Sequence, residues 1–175
     1  MPQRRYAKQT LSSQIAINSF SRKNVGTFSR TRYEDLLFFF QQYAHPRGPD
    51  AELFENQTLK IVEVLDGLWS CFGDRAADLK NRSYILSVFL LFEEIGDDLA
   101  SQADRDRFRD FVLTLWERLK KEAKAGMDRQ NRDLFEFDSM LSSAPGERYQ
   151  IDRRHSKFLD FYEHYREGES ILGYE

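Results

Sequence analysis

The sequence predicts an all-α fold, a single compact bundle of about six or seven helices around a buried central helix at about residues 81–95, with a basic N-terminal arm. Three observations lead there. Four prolines and nine glycines in 175 residues leave room for long helices with short connections. Apolar residues recur at spacings of three, four and seven along most of the chain. The stretch NRSYILSVFLLFEEIG, residues 81–96, is apolar on every face from Tyr84 to Phe92 apart from Ser87, which suits a helix with neighbours on most sides.

In order along the chain, residues 1–30 are rich in Ser, Arg and Asn, and read as an extended arm containing a short helix near 11–20. From 31 to 45 a helix is expected, with Thr31 as its cap, Glu34 and Asp35 in the first turn where the dipole favours anions, and His45-Pro46 as its end. PRGPD is a turn, and Asp50 is placed to cap the next helix. That helix carries an apolar stripe of Phe54, Ile61, Leu65, Leu68 and Phe72, widened by Leu53, Val62 and Trp69, and Gly73 stops it. The apolar run 84–92 has a strand's length, but its flanks favour a helix: Asn81 or Ser83 can cap it and Gly96 can close it. Ser101-x-x-Asp104 resembles a capping box opening the longest helix, whose buried side is Phe108, Phe111, Val112, Leu115, Trp116 and Leu119 and whose end is placed at Gly126. A short helix follows near 132–142, then the loop SSAPGE, then a last helix burying Ile151, Phe158, Leu159, Phe161, Tyr162 and Tyr165. The chain thus divides into an arm (1–30), a helical domain (31–166) and a polar tail (167–175).

At 41% hydrophobic and 31% charged the chain is globular. Fifteen Phe, eight Tyr and two Trp imply a core built on rings. The single cysteine, Cys71, excludes an internal disulfide and a multi-cysteine zinc site, and fits a cytoplasmic protein. No apolar run approaches the ~20 residues of a membrane span, so no membrane partner is expected. Charge is uneven. Arg4, Arg5, Lys8, Arg22, Lys23, Arg30 and Arg32 lie in residues 1–33 without a single acid. The rest holds 19 bases against 29 acids, a net of −10. These seven bases are the candidate contacts to DNA or to an acidic protein surface.

Motifs for chemistry are few. No P-loop, dinucleotide fingerprint, HExxH or GxSxG occurs, so neither cofactor nor metal is expected and catalysis is not favoured. Cys71 sits beside Phe72 as a buried structural cysteine. The acids Glu93, Glu94, Asp97 and Asp98 oppose the dipole of the helix they end, and read as a solvated cap or a dock for the basic arm. Arg148 and His155 form an R-x6-H arrangement similar to that of HEPN-type ribonucleases. The resemblance implies a two-fold dimer in which His155 acts on a ribose hydroxyl and Arg148 stabilises the phosphorane, although Tyr149 stands where that family has a polar residue.

RYEDLLFFFQQY (32–43), LDGLWSCFG (65–73), NRSYILSVFLLFEEIG (81–96) and SSAPGERYQIDRRHSKFLDFY (142–162) follow one another in an order that resembles a known family. It is the C-terminal helical half of DUF262 proteins, the GmrSD-like restriction and phage-defence family, over about residues 20–166. That family joins this half to a ParB-like catalytic half with a DGQQR motif. Nothing like DGQQR occurs here, so no catalytic residue carries over. The resemblance implies a non-catalytic interaction module that packs on, or positions DNA for, a catalytic partner supplied elsewhere. It also implies that exposed rings such as Tyr6, Phe20, Phe28 or Tyr174 belong to the interface. An arm-mediated DNA-binding protein is the remaining alternative.

Overall fold

The computed structural model describes the backbone of residues 2–124 and 131–168, with side chains from residue 9 onward in those ranges. Among the described residues there are seven α-helices and no strand: α1 (Pro2–Val25), α2 (Tyr33–Gln42), α3 (Pro49–Phe72), α4 (Arg82–Ile95), α5 (Gln102–Glu122), α6 (Arg132–Ser142) and α7 (Arg148–Arg166). A six-residue 3₁₀ helix at Gly73–Asp78 and a single 3₁₀ turn at Gly96–Asp98 bracket α4. The expected stop at Gly126 lies outside the described residues.

Local chemistry sets most boundaries. Asn81 Oδ1 accepts from the Tyr84 N–H at 3.1 Å, and Ser101 Oγ accepts from the Asp104 N–H at 3.1 Å. Asn131 Oδ1 takes both the Asp133 and Leu134 N–H groups, at 2.9 and 3.2 Å. Asn131→Ala is therefore expected to lose about 1 kcal/mol of stability, read from a urea melt. Two expected caps fall elsewhere. Thr31 is buried and spends its N–H on Gly146 O at 2.8 Å, so Arg32 takes the N-cap position of α2. Gly48, at φ 57°, precedes α3, and Pro49 fills its first position, leaving Asp50 inside the first turn.

The N-terminal segment is a continuous helix rather than an extended arm with a short helix at 11–20. No proline or glycine interrupts residues 3–25. Asn18 and Asn24 return their side-chain N–H groups to the carbonyls of Gln14 and Phe20, at 2.9 and 2.8 Å, so these weak helix formers stay in register. Ile15, Ile17 and Phe20 are buried, and Gly26 at φ 74° ends the helix. The chain then doubles back, with the Ser29 N–H on Asn18 Oδ1 at 3.1 Å and Phe28 in the core. Phe20 and Phe28 are thus core rings, not interface rings; Tyr6 and Tyr174 lie outside the described side chains.

Helix α4 occupies the centre, against α1, α3, α6 and α7. Every residue from Leu86 to Phe92 is buried, so no side of α4 meets water along that stretch. Tyr84 reaches α5: its hydroxyl donates to Val112 O at 2.7 Å and its ring stacks on Trp116. Full burial pushes the Tyr84 hydroxyl well above its ordinary pKa. A chain of ring contacts runs from Phe72 through Phe108, Tyr162 and Phe111 to Phe158 and Phe137. A second cluster of Ile17, Phe20 and Phe39, with Tyr43 and Phe54 against it, ties α2 to α1 and α3. Gly67 lets α3 approach α4: a Cβ there would lie 2.8 Å from the Phe92 ring. Gly67→Ala gains helix propensity but displaces that ring, and a net loss of about 1 kcal/mol is expected in denaturant unfolding.

Candidate functional site

One end of α4 opens into a polar groove of about 700 Å³ between α1, α3 and α7. Its floor is a hydrogen-bonded file. Gln57 Nε2 donates to Ser19 Oγ at 2.7 Å, and the Ser19 hydroxyl donates to Glu93 Oε1. Glu93 Oε2 is buried without a partner among the described residues. Its wall is a trio of Arg22, Glu94 and His155. Arg22 Nη1 donates to Leu90 O at 3.3 Å and to Glu94 Oε2 at 3.2 Å. Glu94 also meets His155 Nε2, and the His155 ring lies edge-on to Phe28 at 5.1 Å. Lys23, Lys60, Asp152 and Asp160 stand around the groove.

Burial lowers the His155 pKa, with the Arg22 charge acting the same way, while Glu94 and Asp152 oppose them. The folded protein thus holds His155 neutral where the unfolded chain, at an ordinary value of 6.5, would take up a proton. The unfolded state binds more protons there, so this contribution to stability is present above pH 6.5 and is lost as pH falls below it. The lowered carboxyls, Asp35 beside Arg30 and Glu136 beside Lys157, respond only below their ordinary values of 3.8 and 4.5. Thermal unfolding at pH 7, 6 and 5 is expected to show a falling Tm, and His155→Gln is expected to flatten that fall. An unchanged slope in the variant would contradict the assignment.

Beyond the groove, Arg154 is fully buried, with no carboxylate beside it among the described residues. Its Nε donates to Ser87 Oγ at 2.7 Å, and Nη1 to Met140 O at 3.1 Å and Pro145 O at 3.4 Å. The guanidinium thus serves the carbonyl end of α6, where the helix dipole favours a cation. Nη2 has no partner among the described residues, and burial pushes the group down to about 10. The same loop is held from outside by Thr31 on Gly146 O and by an Arg32–Glu147 ion pair at 2.6 Å. Ala144 in this loop has φ 48°, a left-handed conformation that non-glycine residues rarely adopt.

Of the bases singled out in the sequence, Arg22 joins the groove wall and Lys23 lies on its rim. Arg30 forms a two-point pair with Asp35, both contacts at 2.8 Å, and Arg32 pairs with Glu147. The side chains of Arg4, Arg5 and Lys8 lie outside those described. The cluster at the end of α4 receives partners from two helices: Ser19 and Arg22 of α1 on Glu93 and Glu94, and Arg166 of α7 on Asp98. Arg148 is the exposed first residue of α7, whereas His155 lies two turns further on, about 10 Å along the axis, and is buried against Glu94. Cys71 is buried, donates to Arg105 O at 3.1 Å, and is pushed up to about 11 by burial. Among the described residues no group of His, Cys, Asp and Glu could hold a metal ion.

Arg154 and the Glu93 file were missed in the sequence. The signal for Arg154 was its place: with Ile151 and Phe158 it falls on the buried stripe of α7 at spacings of three and four. The file gave no comparable signal, because Ser19, Gln57 and Glu93 come from three separate helices.

The second feature is apolar. Nine large apolar side chains of α2 and α3 are exposed, Tyr33, Leu37, Phe38 and Phe40 on the first, Leu53, Leu59, Val62, Leu65 and Trp69 on the second. Leu65 was expected in the buried stripe of α3, and Leu53, Val62 and Trp69 were expected to widen it. The core takes only Gln57, Val64, Cys71 and Phe72 fully, so those four lie outside it.

No family model, curated protein or solved structure matches this chain.

Proposed function

We propose that the chain is a non-catalytic helical interaction module, of the kind its resemblance to the helical half of DUF262 proteins implies. The observation that supports this best is the exposed apolar surface of α2 and α3, where Trp69 is 66% and Phe38 68% exposed. Rings and aliphatics on this scale suit the buried centre of a protein interface rather than a solvated surface. In this reading the rigid bundle seats a catalytic half of the ParB-like, DGQQR-bearing kind and helps present DNA to it. Arm-mediated DNA binding is less favoured, since Arg22, Arg30 and Arg32 are engaged within the chain.

A second reading has one observation in its favour. His155, Glu94 and Arg22 bring an imidazole, a carboxylate and a guanidinium to the wall of a groove large enough for a nucleotide. The ribonuclease alternative would then draw on Arg22 and Glu94 beside His155, with Arg148 only if a second copy brought it in.

The two readings separate in one assay. The chain alone, incubated with RNA and with DNA, is expected to cleave neither. Added to a DGQQR-bearing catalytic half, it is expected to raise that half's nucleotide-dependent DNA cleavage. Cleavage of RNA by the chain alone, abolished by His155→Ala in a variant that keeps its fold, would overturn the module reading.

A further inference from the structure

The exposed side of α3 carries more than apolar surface. Leu59, Val62, Leu65 and Trp69 follow one another at spacings of three, three and four, so they form one stripe about 15 Å long on the outer side of a 24-residue helix. Glu52, Glu55, Glu63 and Asp66 recur at three, eight and three, and helical geometry gathers them in a ridge on the side of the stripe where Leu59 lies, with Leu59 between Glu55 and Glu63. All four acids are exposed, and none has an ion pair with a described residue. Other exposed acids, Asp74, Asp97 and Glu163 among them, also lack an ion pair with a described residue, but the four of α3 gather on one side of a single helix beside an exposed apolar stripe. Like charges three or four residues apart on one helix are mildly unfavourable, so an unrelieved ridge of acids suits a cationic occupant.

From this we infer that the outer face of α3 seats a basic amphipathic helix of a partner protein. The inference rests on the interaction-module reading and names the chemistry of the partner. The occupant lays leucine-like side chains at i, i+3, i+4 and i+7 along Leu59–Trp69, while lysines or arginines on one flank meet Glu55, Glu63 and Asp66. Trp69 anchors the end of the stripe, as large rings do in the centres of interfaces. A second copy of this chain fits less well. An antiparallel two-fold pairing of two α3 faces would bring two acidic ridges together, with no basic residue on either ridge to answer them.

The test uses the full chain and two synthetic 20-residue peptides labelled for anisotropy. Both carry leucine at helical spacing; one has lysines on its flanks and the other glutamates. The lysine peptide is expected to bind at least tenfold more tightly than the glutamate peptide, and to lose affinity as salt is raised. Trp69→Ser is expected to weaken binding at least tenfold, as is the triple variant Glu55→Lys, Glu63→Lys, Asp66→Lys. All these positions are exposed, so melting temperatures should be unchanged and loss of fold is not the cause. Equal binding of the two peptides would overturn the charge assignment. If neither binds, sedimentation of the chain alone separates two failures. A dimer that Trp69→Ser dissociates would replace the basic partner with a second copy, leaving the interaction reading standing. A monomer unaffected by Trp69→Ser would remove both.

Discussion

Arg154→Ala is expected to lower stability by about 3–5 kcal/mol, enough to unfold much of the chain at 37 °C. The guanidinium is fully buried, and its contacts are Ser87 Oγ and the carbonyls of Met140 and Pro145. Truncation leaves those groups without a donor, each with a penalty of about 1–3 kcal/mol, and opens a cavity beside α4. Arg154→Met separates the contributions. It fills most of the volume and removes the charge, so the cavity is largely spared while the carbonyl end of α6 still loses its cap. A loss intermediate between wild type and alanine is expected, with increased amide exchange in residues 142–147. Equal stability of the methionine variant and the wild type would mean that the hydrogen bonds contribute nothing net. Urea denaturation with hydrogen exchange reads both.

Alanine substitutions around α4 are expected to be costly on every side. Leu86, Leu90 and Leu91 are at most 1% exposed; Leu86 and Leu90, four apart, share one side of the helix and Leu91 lies about 100° round from Leu90. Each change to alanine removes buried methyl groups and leaves space that neighbours on four other helices only partly refill, so a loss of about 2–5 kcal/mol is expected for each. A helix on the surface would show one tolerant side. If any of the three variants unfolds within 0.5 kcal/mol of wild type, α4 is not surrounded.

Some of this was legible in the sequence and some was not, for identifiable reasons. Caps are local chemistry, so Ser101 marked the start of α5, and of Asn81 and Ser83, both able to cap α4, it is Asn81 that does. The all-round apolar run marked the centre of the bundle, because nothing but burial on most sides accommodates it. The full length of α1 was hidden: residues 3–10 have few apolar anchors, and the helix is held by Ile15, Ile17 and Phe20 further along. Thr31 looked like a cap, but it is claimed by Gly146, more than a hundred residues later, and no local pattern reports such a contact. The outer stripe of α3 misled for the opposite reason. Periodicity marks apolar faces and does not say whether the chain itself covers them. Leu65 and Trp69 share a helix with the buried Cys71 and Phe72, and only the packing tells the two sides apart. The groove needed three dimensions as well, since Arg22, Glu94 and His155 are separated by 72 and 61 residues.

In the proposed function the α2–α3 surface is the seat of a catalytic partner. Sedimentation velocity of the chain mixed with a DGQQR-bearing catalytic half tests it most directly, with the Leu65→Ser, Trp69→Ser double variant as control. A faster-sedimenting complex is expected with the wild-type chain and separate boundaries with the double variant, at equal thermal stability of the two chains. A complex that forms equally well with both would contradict it.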